Sequence, residues 1–220
     1  MKSRQAPLYY PVFLSLQDRC CLVVGGGAVA AGKVTGLLAA GARVRIVSPT
    51  LSAALDELRA EGRIEYRRRT YEELDADGVA LVMVATNDPV VNAQVAAACR
   101  RRRIWVNVAD DPPNCDFILP SVIRRGKVTL AASTSGASPA LARKLREELE
   151  DFLSEDFAAL ADLLGDVRTE LQERGVSLDS ARWQRAIDGR LRALLAQGRH
   201  EEARAHLIES LGVDQDRTRS

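Results

Sequence analysis

Hydrophobic positions fall into two rhythms along this chain. As far as residue 108, short continuous apolar runs alternate with segments that repeat every three or four residues. Residues 20–24 form such a run and end in Gly25-Gly26-Gly27; residues 28–40 then carry helix formers up to Gly41. That order predicts strand, glycine turn and helix with a glycine stop. Residues 43–47 are β-branched and end at Ser48-Pro49, and residues 51–61 place Leu51, Leu55 and Leu58 at helical spacing before Gly62. Residues 64–68 read as a weaker strand and 71–75 as a short helix. Residues 79–85 form a run of the kind buried on both faces of a parallel sheet. A helix over 90–102 and a strand over 104–108 complete the series. Strands alternating with helices predict a doubly wound parallel sheet.

The rhythm changes at Asp110-Asp111-Pro112-Pro113-Asn114, a turn cluster. Residues 117–123 and 127–133 read as two strands around Arg124-Arg125-Gly126, expected to extend or cross an edge of the sheet. Ser138-Pro139 supplies a helix cap with proline at the first helical position, and beyond it the pattern is helical throughout. Leu141, Leu145, Leu149 and Phe152 form one stripe. Leu160, Leu163, Leu164, Val167 and Leu171 form a second; Trp183, Ile187, Leu191 and Leu194 form a third. A helical part of this size is small to stand alone, so its stripes are expected to be buried against a partner subunit.

Charge narrows the function classes. The 220 residues carry 31 basic and 30 acidic side chains, a formal net charge of +1. Through Leu119 there are 15 basic and 13 acidic residues, leaving 16 and 17 for the remainder. Neither half has the basic excess that long-range attraction to nucleic acid or an anionic membrane requires. The polar start and the proline-broken run over 8–16 do not make a signal peptide, and no apolar stretch approaches the ~20 residues of a membrane-spanning helix. A cytoplasmic protein is expected. Cys20, Cys21, Cys99 and Cys115 show no C-x-x-C pair and read as reduced thiols, with adjacent Cys20 and Cys21 on opposite faces of their strand.

The glycine turn reads Gly25-Gly26-Gly27-Ala28-Val29-Ala30, a G-x-G-x-x-A pattern between a strand and a helix. Glycines there let the backbone approach a pyrophosphate that helix N–H groups receive, which points to a dinucleotide. The acidic residue usual at the second strand's end is replaced by Ser48-Pro49-Thr50. A hydroxyl there can still bond a ribose, and no basic residue stands at the tip for a 2′-phosphate; NAD is favoured over NADP. Ligands on such sheets lie beyond the carboxyl ends of the strands, where Thr86-Asn87-Asp88, Asn107 and Asp110 also fall. Asp88 reads as a helix cap, and Asn107 and Asp110 as turn residues or site residues.

The two histidines, His200 and His206, lie far out in the helical part. No G-x-S-x-G elbow, phosphate-loop lysine or zinc-ligand spacing is present, so the instruments of nucleophilic hydrolysis, nucleotide hydrolysis and zinc chemistry are missing. A dehydrogenase built on this chain must use a carboxylate as its acid–base group. Arginine runs at 67–69, 100–103 and 124–125 read mainly as solvated surface charge.

Taken in order, Val23-Val24-Gly25-Gly26-Gly27-Ala28-Val29-Ala30, Ala85-Thr86-Asn87-Asp88, Asn107-Val108-Ala109-Asp110, Phe117-Ile118-Leu119-Pro120-Ser121 and the segment Ser133-Thr134-Ser135-Gly136-Ala137-Ser138-Pro139-Ala140-Leu141-Ala142-Arg143 resemble the precorrin-2 dehydrogenase/sirohydrochlorin ferrochelatase family. The same module forms the front part of siroheme synthases. The resemblance implies a Rossmann-like NAD-binding domain (1–116), a small β/α dimerisation segment (117–150) and an all-helical C-terminal domain (151–220). It implies a tetrapyrrole held beside the nicotinamide, with Asp110 matching the family's essential aspartate in both oxidation and metal insertion. Cofactor contacts carry over to Gly25, Gly27, Ala28, Val29, Thr50, Leu51, Thr86, Asn87, Asn107 and Ala109; Ser48 joins them from the strand-end reading, where a hydroxyl can bond a ribose. Many members carry an Arg-Lys pair in the first helix, where this chain has Gly32-Lys33. The methyltransferase part of fused members has no counterpart here, so uroporphyrinogen methylation is not expected.

The resulting expectation is a homodimeric enzyme that oxidises precorrin-2 to sirohydrochlorin with NAD as hydride acceptor. Insertion of Fe(II) stands as an open second step, and no resident metal is expected. Asp110, buried or partly desolvated with a raised pKa, is the expected base. Arg124, Arg125, Lys127 and Arg143 are candidates for the substrate's carboxylates, because arginine pairs with carboxylate through two parallel bonds. The alternatives are a nonenzymatic NAD-sensing module and, less well equipped, a dehydrogenase of a small hydroxy acid.

Overall fold

A computed structural model describes residues 8–213, which form two compact units, 8–119 and 120–213. In the first, β1 (Cys20–Val24), β2 (Arg43–Val47), β3 (Ile64–Arg67), β4 (Leu81–Val84) and β5 (Trp105–Val108) make one parallel sheet in the order β3-β2-β1-β4-β5. Helices α1 (Ala28–Ala39), α2 (Ala53–Ala60) and α3 (Pro89–Arg102) connect them. The alternation within β1 decides which side each residue serves. Cys21 and Val23 join Ala30, Val34, Leu37, Ile46 and Leu55 on the α1–α2 face, while Leu22 and Val24 join Val82, Val84, Val95 and Cys99 on the α3 face. Cys20 packs on the second face, opposite Cys21 as expected. Burial pushes the thiols of Cys21 and Cys99 up to about 11, so both behave as small apolar groups.

The chain crosses from one side of β1 to the other between β3 and β4, so β1 and β4 flank the switch point where such sheets bind ligands. Capping sets the helix starts. Asp88 accepts the N–H groups of Val90 and Val91 ahead of α3. The helix expected from residue 51 begins at Ala53, because Ser52 is extended and donates its N–H to the Gly26 carbonyl at 2.7 Å; Leu51 packs on the core instead. The short helix expected over 71–75 is a 3-10 turn, Glu73–Ala76. Its Asp75 is fully buried and receives Arg67 at 2.8 Å, Arg69 at 2.7 Å and the Glu72 N–H at 2.9 Å. Burial alone would raise the pKa of this carboxyl; the Arg69, Glu72 and Arg67 bonds outweigh it and hold the group below its ordinary value. Two arginines of the 67–69 run are thus structural clamps.

In the second unit β6 (Ser121–Arg125) and β7 (Val128–Ala132) form an antiparallel pair around Gly126. They do not extend the parallel sheet. Beyond β5 the places of a sixth strand are taken by residues 115–117: the Asp116 carboxylate accepts the Val106 N–H at 3.0 Å and the Cys115 thiol accepts that of Val108 at 3.1 Å. Helix α4 (Pro139–Phe152) follows, with Ser138 accepting the Leu141 N–H as its cap. It has no buried residue, and Leu141 and Phe152 are 50% and 64% exposed.

The remaining helices are α5 (Glu155–Glu173), α6 (Ser180–Ala186), α7 (Gly189–Ala196) and α8 (His200–Leu211). The third predicted stripe is not one helix. Asp188 caps α7 through the Leu191 N–H, which separates Trp183 on α6 from Leu191 and Leu194 on α7, and Ile187 is left 40% exposed between them. The expectation that the helical stripes need a partner subunit is also corrected for α5–α8. Leu160, Val167, Leu171, Leu191, Leu207 and Leu211 bury one another in a core of their own.

Candidate active site

The glycine turn joins β1 to α1, and its three glycines have different reasons to be there. Gly25 has φ +117°, and a Cβ on it would stand 2.3 Å from the Ala85 carbonyl oxygen at the end of β4. Gly26 is tighter still: its Cβ would lie 1.9 Å from the Thr50 carbonyl oxygen and 2.8 Å from Ser48 Oγ. Gly27 is the reverse case, exposed, with nothing within 4 Å of the Cβ position. Close packing explains the first two glycines, and open space explains the third. Gly27 is also the N-cap of α1, which has no side-chain cap and no acidic residue in its first turn. The first N–H groups of an α-helix have no intrahelical partner, so the turn presents donors and partial positive charge at an exposed surface. These residues fit a dinucleotide pyrophosphate. Ala28 and Val29 are exposed in the same first turn, Val29 at 57%.

The other candidate contacts lie at strand ends of the same unit. Ser48 is buried beside Gly26, Thr50 is exposed, and Leu51 is half-buried on the core. After β4, Thr86 Oγ1 is engaged with Asn92 Oδ1 at 2.6 Å and accepts the Asp88 N–H, whereas Asn87 is exposed. After β5, Ala109 donates to the Val84 carbonyl at 2.9 Å, tying the two strand ends together. Asp110 follows in the left-handed region, φ +57°. It is exposed, so the expected burial of this carboxylate is corrected: the turn that carries it faces outward from its unit.

Asn107, in β5, is 7% exposed, and its side chain is committed within the protein. Its amide nitrogen donates to the Phe117 carbonyl at 2.9 Å, and its Oδ1 accepts from Lys33 Nζ at 2.8 Å. In the sequence Lys33 is the half of the Arg-Lys pair that this chain keeps, and Gly32 is the departure. A signal for it exists, since residues 30, 34 and 37 are the buried stripe of α1 and position 33 lies on its flank. Burial lowers the Lys33 pKa, against the raising effects of the Cys115 and Asp110 charges. Gly26 and the Phe117 carbonyl are further contributors that the motif does not single out.

The basic candidates are all in the second unit. Arg125 pairs with Glu155 at 3.2 Å and Glu150 at 3.7 Å, and Lys127 pairs with Asp162 at 2.9 Å. Arg124 and Arg143 are exposed and make no ion pair among the described residues.

Comparison with known proteins gives consistent matches. Residues 12–121 match the model of a family described as putative NAD(P)-binding, and residues 125–151 match that of the sirohaem biosynthesis protein central region. A siroheme synthase of Methylococcus capsulatus is 43% identical over 204 residues, covering 92% of this chain and 43% of that protein. A siroheme synthase of Thioalkalivibrio sulfidiphilus is 41% identical over 210 residues, 94% of this chain and 43% of that protein. The chain therefore spans less than half the length of these relatives. Among solved structures, one described as SirC, precorrin-2 dehydrogenase superposes with a TM-score of 0.73 at 30% identity, covering 91% of this chain and all of that one.

Proposed function

This chain belongs to the precorrin-2 dehydrogenase family, that of SirC and of the matching part of the siroheme synthases, and from that premise we propose that it oxidises precorrin-2 to sirohydrochlorin with NAD. The observation that carries the reading is the open Gly27 position at the uncapped start of α1, on the same strand-end side of one sheet as Asp110. Gly25, Gly27, Ala28 and Val29 would hold the pyrophosphate, and Ser48, Thr50 and Leu51 the adenosine end. Arg67 and Arg69, near the end of β2 in the sheet order, are committed to Asp75, which favours a dinucleotide without a 2′-phosphate.

Bound NAD supplies a two-electron acceptor for the hydride that leaves the reduced macrocycle. Asp110 takes the accompanying proton on its carboxylate, and the outward-facing turn lets that carboxylate meet a substrate as large as a tetrapyrrole. Thr86, Asn87, Asn107 and Ala109 frame the floor, Asn107 through its fixed amide. We assign to Arg124, Arg125, Lys127 and Arg143 the outer carboxylates of the substrate, with Arg124 and Arg143 the more available because the other two already pair with carboxylates. In Fe(II) insertion the same Asp110 would accept a pyrrole N–H proton. A cytoplasmic setting suits a chain with four unpaired cysteines, whose thiols stay reduced there. Anaerobic incubation of the protein with NAD and precorrin-2 tests the reading. NADH and the sirohydrochlorin spectrum should rise together, with a later change to the siroheme spectrum on adding Fe(II). Binding of NAD without any macrocycle change would leave a dinucleotide-binding module and no dehydrogenase.

For the three-part division we keep 1–116, 117–150 and 151–220, with the middle segment as the homodimer contact. Its support is α4, whose apolar residues Leu141 and Phe152 remain exposed while α5–α8 satisfy one another. Sedimentation at micromolar concentration should give about twice 24.0 kDa, and Leu141→Glu should shift it toward 24.0 kDa. A wild-type monomer would contradict the assignment.

A further inference from the structure

Lys33 is out of keeping with the other cations of its unit. Among the described residues of 8–119, the half-buried basic side chains are Lys33, Arg45, Arg67, Arg69 and Arg102. Arg45 meets Glu65, Arg67 and Arg69 meet Asp75, and Arg102 meets Glu73 and Asp77. Lys33 instead meets a neutral amide oxygen, Asn107 Oδ1, and no carboxylate lies within ion-pair distance among the described residues. A partly desolvated ammonium with no carboxylate in contact is costly, and the cost is relieved when an anion arrives. The site is also built to hold the cation still. Asn107 is nearly buried and its amide nitrogen is fixed on the Phe117 carbonyl, so its oxygen can only face Lys33. An ammonium has three donors, and this contact uses one.

Position decides which anion fits. Along α1, at ~1.5 Å per residue, Lys33 lies about 7.5 Å from Ala28, where a pyrophosphate would be met. Its Nζ reaches β5, two strands across from the β1 end that carries the glycine turn, or about 9–10 Å at the usual strand spacing. The cofactor's phosphates are therefore not its natural partner. Asp110, two residues after β5, is close enough for its charge to act on Lys33.

We infer that Lys33, held by Asn107, binds a carboxylate of the tetrapyrrole substrate and so sets the macrocycle beside Asp110. This rests on the dehydrogenase reading and adds a substrate-specificity residue to it. An ammonium and an acid side by side at the end of β5 divide the work: the cation fixes a peripheral acid group of the substrate, and Asp110 is left to handle the proton at the ring.

Lys33→Met keeps the aliphatic stem and removes the charge; Lys33→Arg keeps the charge. Loss of one charge-assisted contact predicts a KM for precorrin-2, and an equilibrium Kd for sirohydrochlorin, raised about 10- to 100-fold in Lys33→Met. The Kd for NAD should stay within about twofold, and Lys33→Arg should recover most of the tetrapyrrole affinity. Tetrapyrrole affinity unchanged in Lys33→Met, while wild type turns over, overturns this inference and leaves the dehydrogenase reading standing. A parallel loss of NAD affinity overturns it in favour of a cofactor contact. A lowered melting temperature with no recovery by arginine overturns it in favour of a prop for Asn107. Wild-type protein that neither binds nor oxidises the tetrapyrrole brings down both.

Discussion

Asp110→Asn is expected to lower kcat for precorrin-2 oxidation by about 10²- to 10⁴-fold, the usual contribution of a positioned general base. The Kd for NAD should stay within about twofold and the melting temperature should not change. Asparagine is the informative substitution because of the backbone. Asp110 sits at φ +57°, in a turn in which Asp111 donates back to the Val108 carbonyl at 3.4 Å. Asparagine tolerates that left-handed conformation, whereas alanine pays ~1 kcal/mol or more for it. A drop seen only in Asp110→Ala would report a distorted turn; a drop in Asp110→Asn at full stability reports the lost carboxylate. Turnover of Asp110→Asn within about tenfold of wild type removes this residue from the proton transfer. Steady-state kinetics, dinucleotide titration and thermal unfolding on the two variants decide the matter.

Gly26→Ala should be the most damaging single methyl in the dinucleotide site. The added carbon meets the Thr50 carbonyl oxygen at 1.9 Å and Ser48 Oγ at 2.8 Å, so the backbone must move, and overpacking of this kind costs about 1–3 kcal/mol. The movement falls where Gly26 accepts the Ser52 N–H and Gly25 donates to the Val47 carbonyl, so it would open the glycine turn away from the end of β2. NAD affinity is expected to fall by more than about tenfold. Gly27→Ala is the control with opposite logic. Its methyl touches no protein atom within 4 Å, so thermal stability should hold, and any loss of NAD affinity measures crowding of the ligand itself. Equal NAD affinity in Gly26→Ala and wild type would mean that this turn does not cradle the cofactor.

Much of the first unit was legible from the chain because parallel strands buried on both faces leave continuous apolar runs, as residues 81–84 do, all four buried. Glycines and prolines marked the ends, and Asp88 capped α3 as its position suggested. The second unit was harder. Trp183, Ile187, Leu191 and Leu194 keep a helical period across a break that only the Asp188 cap reveals. The α5–α8 core brings together residues as distant as Leu160 and Leu211, which local periodicity does not register. The hairpin was legible as strands, but its separation from the sheet depended on which groups had already occupied β5. The same limit applies to the site. A motif identifies Gly25 and Gly27 by spacing, yet the tightest glycine is the variable one between them, because Thr50 approaches from another strand end. Lys33 and Asn107 are 74 positions apart, and their partnership exists only once α1 lies across the sheet. Asp110 was found by resemblance, while its exposure is set by a turn geometry that composition does not encode.

The bonds from residues 115–117 to β5 carry a consequence for association. An unprotected outermost strand is a template on which another chain can add by backbone pairing, the route to uncontrolled polymerisation. Here the Val106 and Val108 amides are saturated by an aspartate and a thiol of the same chain, and at the far margin β3 is only four residues long and carries Glu65 and Arg67. Neither margin invites a foreign strand. Copies of this protein that come together must do so away from those two margins, and the dinucleotide-binding sheet stays out of that exchange.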